Sequence, residues 1–254
     1  MSNPNKIALV TGGSRGLGRN MSIALAKKGI DIIFTYHSNR KEADRVINEI
    51  NNIGQSAAAF QLDTRNTGSF NTFEKEVKSY LEKEKNTSSF DFLINNAGTA
   101  LYAPIMEVTE EQMDDIFNIH YKGVFFLTQK LLPHLNDGGA IINISSGLTR
   151  ITMPGSSVYA SMKTAVETFT RYLANELRAR KVRANVVAPG AIETDFGGGR
   201  VRDNKELNAQ IASFTALGRV GLPEDIGGVV AFLCTEEAYW INGQRIEVSG
   251  GQSL

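Results

Sequence analysis

Lys6-Ile7-Ala8-Leu9-Val10-Thr11-Gly12-Gly13-Ser14-Arg15-Gly16-Leu17-Gly18 decides the fold of this chain. Ile7 to Val10 are four apolar residues in succession, the pattern of a strand buried on both faces, and from about Leu17 the pattern turns helical. Between them Gly12, Gly16 and Gly18 carry no Cβ, so the backbone can turn sharply, approach a pyrophosphate and seat a helix against the strand. The start of that helix offers unpaired N–H groups and a positive dipole end to an anion. A glycine-rich turn after a strand can also be simply a turn, and the remaining chain has to separate the two readings.

Working outward, apolar strands alternate with amphipathic helices. Strands are expected over residues 31–35, 57–62, 90–94, 140–145, 183–188 and 245–248. Helices are expected over about 16–28 (with Gly29 as stop), 39–52, 68–85, 109–135, 156–178 and, started by Pro223, to about Cys234. This alternation predicts an α/β chain, a doubly wound parallel sheet with helices on both faces. No repeat, linker or composition shift divides it, so residues 1–254 are expected to form a single domain.

The chain has 254 residues, 42% hydrophobic and 21% charged, with a formal net charge of zero, which speaks against disorder and against a nucleic-acid partner. No apolar stretch has the length of a membrane span. Met1-Ser2-Asn3-Pro4-Asn5 is polar with no apolar leader run, so a cytoplasmic protein without membrane association is expected. The single cysteine, Cys234, falls in an apolar helical pattern with Val230 and Leu233, which suits a buried thiol better than a nucleophile.

In a sheet of this kind ligands bind beyond the carboxyl ends of the strands. Asp63 follows the third strand, placed to accept from an adenine amino group or to cap a turn. Asn95-Asn96-Ala97-Gly98 follows the fourth, and Ser145-Ser146 end the fifth. Tyr159 and Lys163 stand four apart, on one face of a helix. Pro189-Gly190 follow the sixth strand, with Ile192 and Thr194 just beyond.

The glycine spacing T-G-x-x-x-G-x-G, the N-N-A-G segment, and Ser146 followed by Tyr159-Ala160-Ser161-Met162-Lys163 together resemble the short-chain dehydrogenase/reductase family over nearly the whole chain. The resemblance implies a Rossmann-type fold and reversible hydride transfer between a nicotinamide and a carbonyl or alcohol, as in 3-oxoacyl-carrier-protein reductases and other carbonyl reducers. It implies Tyr159 as proton donor, Lys163 as the cation that together with an oxidised nicotinamide lowers the phenol's pKa and that also holds the ribose, Ser146 as hydrogen-bond donor to the substrate oxygen, and Asn118 as holder of a water beside Lys163. It further implies cofactor contacts from Gly12, Ser14, Arg15, Gly16, Leu17 and Gly18, from Asp63, Asn95, Ala97 and Gly98, and from Pro189, Gly190, Ile192 and Thr194. A departure is Ser249, where relatives often carry Asp.

Cofactor choice follows from Thr35-Tyr36-His37-Ser38-Asn39-Arg40, which has no acid to accept from a ribose 2′-hydroxyl before Glu42. Arg15 can pair with a 2′-phosphate, so NADP(H) is expected, with Ser38 as a main contact and His37 and Asn39 as secondary ones. His37, His120 and His134 lack metal-ligand spacing, and no metal is expected. Residues 191–214, with Gly197-Gly198-Gly199 inside, are expected to form the substrate lid, where Arg200 and Arg202 either meet an anionic substrate or are solvated loop charges. A non-enzymatic NADP(H)-binding regulatory protein on the same fold is the alternative. The apolar circumference of the 109–135 and 156–178 helices, with Phe125, Phe126, Phe169, Tyr172 and Leu173, predicts a homo-oligomer, a tetramer or a dimer.

Overall fold

In the computed structural model, residues 5–254 are described; Met1–Pro4, on which part of the leader reading rests, lie outside the described residues. The strands are β1 (Ile7–Val10), β2 (Asp31–Tyr36), β3 (Ala57–Gln61), β4 (Phe90–Asn95), β5 (Leu135–Ile144), β6 (Arg183–Pro189) and β7 (Arg245–Val248). They pair in the order β3-β2-β1-β4-β5-β6-β7, every pairing parallel. The order reverses between β1 and β4, which fixes where a ligand crevice opens.

Two cores line the sheet, because successive strand residues point to opposite faces. On one face Ala8, Val10, Ile32, Phe34 and Ile142 pack under α1 (Gly16–Ala26), α2 (Arg40–Ile53) and α9 (Pro223–Leu233). On the other, Ile7, Leu9, Ile33, Leu93 and Ile141 pack under α3 (Phe70–Glu84), α5 (Gly123–Leu131) and α6 (Ser157–Glu176). Leu173, expected on a free helix face, is 6% exposed and belongs to this second core.

The helix expected over 109–135 is not one helix. Thr109 and Gln112 close a capping box that starts α4 (Glu110–Phe117), a π turn follows over Asn118–Lys122, and α5 resumes at Gly123. Gly123 is pressed against a neighbouring turn; a Cβ there would stand 2.3 Å from the Thr64 carbonyl oxygen. A short 3-10 turn with Pro133 then ends the helical run, so β5 begins at Leu135 rather than near 140. The excursion after β6 holds two short helices, α7 (Arg200–Asp203) and α8 (Lys205–Ser213).

Candidate active site

The crevice at the reversal of strand order is bounded by the β1–α1 turn and by the segment after β4. Gly16 takes a φ of +53°, a left-handed conformation that a side chain disfavours. Gly18 lies so close to the turn that a Cβ would come within 2.1 Å of the Gly12 carbonyl oxygen. Thr11 Oγ1 accepts from the backbone N–H groups of Asn96 (2.9 Å) and Ala97 (3.0 Å). The Asn96 amide donates back to Thr11 O at 2.9 Å. The two walls are therefore stitched by polar contacts. Thr194 approaches from the far side, 3.7 Å from where a Gly16 Cβ would be. Ser14 is buried in the turn, and Leu17 packs on the first core.

Asn95 is placed differently from the expectation. Its side chain is 4% exposed and donates to Thr128 Oγ1 (3.0 Å) and Asn143 Oδ1 (2.8 Å), inside a polar ladder under the sheet. The neighbour that shapes the crevice is Asn96. The N-N pair does not reveal this by spacing alone; the period-2 alternation of β4 turns the first Asn inward.

Arg15 in the β1–α1 turn is exposed, as are His37, Ser38 and Asn39 beyond the end of β2. Asn39 is spent on α2, its Oδ1 accepting from Glu42 N at 3.2 Å. Asp63 serves its own turn, accepting from Arg65 N (3.0 Å) and Arg65 Nε (3.1 Å), and these bonds hold its carboxyl below the usual range against the opposing effect of burial. Its other near neighbour is His37 Nε2 at 3.6 Å. Arg40 stacks over the Tyr36 ring 5.9 Å from its centroid, a second cation at this rim that sequence reasoning passed over. The crevice fits an NADP-type dinucleotide: no side chain caps the start of α1, its rim holds Arg15 and Arg40, and the Asp63 carboxylate is engaged by Arg65.

Ser146, Tyr159 and Lys163 meet at the end of β5 because α6 begins at Ser157 and turns Tyr159 and Lys163 to the sheet. Lys163 Nζ donates to Ile144 O at 2.7 Å, and the ammonium lies 5.7 Å from the Tyr159 ring centroid. Burial pulls Lys163 down from 10.5 to about 7. Burial also pushes the Tyr159 hydroxyl above its ordinary value, partly offset by Ser146. In the protein by itself removal from water therefore dominates the phenol, and the expected lowering calls for an oxidised nicotinamide as well as Lys163.

Ser146 is positioned from behind by a network that the sequence did not disclose. Ser145 Oγ donates to Glu167 Oε1 (2.7 Å), Arg245 Nε donates to the same oxygen (2.9 Å), and Arg245 Nη2 reaches Ser146 O (3.3 Å). Ser249, the departure from the family pattern, donates to Glu247 Oε1 at 2.9 Å in the adjoining cluster. Pro189 ends β6, and Gly190 N donates to Val248 O (3.0 Å), with Gln252 Oε1 accepting from Ala191 N (3.0 Å). Ile192 bridges to Gly221, tying down the base of the excursion.

The reaction centre faces an aromatic opening. Phe196 lies 5.9 Å from Tyr159 between ring centroids, the Tyr102 phenol is near enough to act on the Tyr159 hydroxyl, and Arg200 stacks on Tyr102 at 4.9 Å. Arg202 is instead held by Asp195 and Asp203.

Asn118 stands at the start of the π turn between α4 and α5. Its side chain is half-buried and makes no hydrogen bond among the described residues, whereas the π turn directs His120 inward, 5.0 Å from Tyr159 between ring centroids. Among the described residues no group of His, Cys, Asp or Glu is arranged to hold a metal ion.

A family model described as enoyl-(acyl carrier protein) reductase matches residues 12–253. The chain belongs to the short-chain dehydrogenase/reductase family. A hydroxynaphthalene reductase-like protein, Arp2 of Metarhizium brunneum, is 37% identical over 97% of this chain and 94% of its own. Among solved structures, the promiscuous reductase LugOII, which catalyses keto-reduction at C1 during lugdunomycin biosynthesis, is 36% identical with a TM-score of 0.93 and covers 99% of both chains. The landomycin C-6 ketoreductase LanV, with bound NADP and rabelomycin, is 33% identical with a TM-score of 0.89 over 98% of this chain and 96% of that one.

Proposed function

We propose that this chain is an NADP(H)-dependent oxidoreductase that reduces a ketone carried on a bulky, aromatic framework, with Tyr159 as its proton donor. The observation that carries the reading is the convergence of Ser146, Tyr159 and Lys163 at the end of β5, beside a crevice shaped for a dinucleotide. When bound, the nicotinamide supplies the hydride. The protein's part is then a proton and a place for developing negative charge. Tyr159, kept neutral by burial, gives its hydroxyl proton to the carbonyl oxygen. Ser146 donates a hydrogen bond to the same oxygen, and Lys163 places a positive charge beside the phenolate that is left. The glycine turn, Ala97, Gly98, Pro189, Gly190 and Thr194 form the walls of the cofactor crevice, and Arg15 takes the 2′-phosphate.

The aromatic substrate is supported by the rings of Tyr102 and Phe196 around the Tyr159 hydroxyl, and by the naphthalene in one relative's name. We read residues 191–214 as the lid, in which Arg200, stacked on Tyr102, faces substrate while Arg202 fixes the loop. We also place the protein in the cytoplasm as a homo-oligomer. One buried, unpaired cysteine suits a reducing compartment, and among the described residues no helix is long and apolar enough to cross a membrane. The assembly reading rests on the exposed aromatic face of α4 to α6.

The test is NADPH oxidation across 2-tetralone, cyclohexanone and an acetoacetyl thioester, with Tyr159→Phe beside the wild type. The bicyclic ketone should have the highest kcat/KM, and Tyr159→Phe should lower kcat at least about a hundredfold while NADPH still binds. Wild-type turnover in Tyr159→Phe would overturn the chemistry. A panel that stays silent while NADPH binds would favour a non-enzymatic binding protein.

A further inference from the structure

One buried titratable group beside Tyr159 has no part in the chemistry above. His120 is 0% exposed and sets its ring at 84° to that of Tyr159, with 5.0 Å between centroids. Its Nε2 lies 2.8 Å from Thr99 O and 3.2 Å from Thr99 N. The shorter contact is to a carbonyl, so Nε2 carries the hydrogen and donates it, and Nδ1 is left as a lone-pair acceptor. Nδ1 has no partner among the described residues. A fully buried acceptor without a donor is rare in a folded protein and calls for a functional account.

The surroundings are shaped to admit the ring. A Cβ on Gly98 would stand 2.6 Å from the imidazole, so a glycine in the segment after β4 makes the room. The charged and titratable groups that face it, Lys163 and Tyr159, both come from α6; burial and the Lys163 charge hold the imidazole neutral. Lys163 has three N–H groups and gives one to Ile144 O.

We propose that His120 is a positioning residue for proton transfer, its Nδ1 lone pair serving as the acceptor that holds the Tyr159–Lys163 pair in its transfer arrangement while Thr99 fixes the ring from behind. The inference rests on the reading of Tyr159 as proton donor. In the reduction, Tyr159 gives its proton to the substrate oxygen and recovers one from the Lys163 ammonium, which is recharged from solvent. The imidazole neither gains nor loses a proton.

Two substitutions separate the two ring nitrogens. His120→Asn keeps a polar atom near the Nδ1 position and gives up the Thr99 contact. His120→Gln reaches the Nε2 position and gives up Nδ1. We expect His120→Gln to lower kcat at least about tenfold with KM for NADPH little changed, and His120→Asn to stay within about threefold of wild type. His120→Phe, which keeps the ring and removes both nitrogens, should behave as His120→Gln. NADPH titration by fluorescence shows whether each protein is folded, and should His120→Phe not fold, the Asn and Gln pair decides. Equal losses in Asn and Gln, or recovery by Gln alone, would assign His120 a purely structural role and overturn the proposal. Tyr159→Phe, run alongside, distinguishes the failures: if it keeps its turnover the chemistry itself is wrong, and if it is inactive while the histidine pattern fails, this inference alone falls.

Discussion

Lys163 has to be buried and charged at once, and the two demands conflict. Its nitrogen has one carbonyl partner, Ile144 O, and burial brings it down from 10.5 to about 7. Between those values the unfolded chain holds a proton that the folded protein has given up, so this group's contribution to stability rises with pH across that window. Below about pH 7 both states are protonated and the full cost of burial is present. Lys163→Met, which keeps the length and drops the charge, should therefore stabilise the cofactor-free protein at pH 7 by about 1 kcal/mol or more while abolishing turnover. The gain should shrink toward pH 10, and urea unfolding at pH 7 and pH 9.5 measures both ends. A Met variant less stable at pH 7 would show that the Ile144 hydrogen bond outweighs desolvation. Ser146, Tyr159 and Lys163 were singled out in the sequence because a strand-end Ser and a Tyr/Lys pair four apart occur together in the family's pattern; the spacing of the pair alone would not have marked them. His120 was not, since its role comes from packing between α6 and the Gly98–Thr99 backbone, which no spacing records.

Elements were legible where a single period runs without interruption. The seven strands and the alternation of helices follow from apolar patterning, the early start of β5 apart, whereas the strand order is set by the β3–β4 connection, which passes over β2 and β1. The 109–135 stretch shows the limit: apolar residues recur at helical spacing throughout, so nothing in the pattern marks the π turn at Asn118–Lys122. That turn interrupts the α-helical wind between α4 and α5 and carries His120, which packs edge-on against Tyr159. The β1–α1 turn depends on equally close contacts, and it can be tested as an element. Thr11→Val removes the hydroxyl that accepts from Asn96 N and Ala97 N, leaving two part-buried donors unpaired. It should cost about 1–3 kcal/mol of stability and weaken NADPH binding, because both crevice walls lose their shared anchor. Gly18→Ala is harsher, its Cβ meeting Gly12 O, and should reduce NADPH affinity more than Thr11→Val does. Chemical unfolding and NADPH titration on the two variants give the order. Unchanged affinity in Gly18→Ala would mean that the turn relaxes without altering the crevice.

Over the whole molecule, the sheet is covered on both faces, yet apolar surface remains on the outer side of the helices. Phe117 is 37% exposed, Phe126 43% and Tyr172 60%. They border a continuous run of rings in which Tyr121 contacts Phe117, Phe125 and Phe169 at 6.0 to 6.4 Å, and Phe125 stacks on Phe169 at 4.7 Å. A solvated helix face has little use for such a run, whereas an interface between copies of one chain gains from each ring it covers. A two-fold axis across α5 and α6 would set this patch against itself, the self-complementary contact of a closed dimer. It would also place the interface on α6, which carries Tyr159 and Lys163, and on α5, which continues from the turn that holds His120, so that assembly and the order of the reaction centre are coupled. The wild-type protein should then sediment as a multiple of the 27.7 kDa chain. Phe126→Glu combined with Tyr172→Glu should shift it toward the single chain and lower turnover as well, since charge on both patches opposes burial. A wild-type particle of 27.7 kDa at micromolar concentration would remove the assembly. A double variant that dissociates with kcat unchanged would keep the interface but separate it from catalysis.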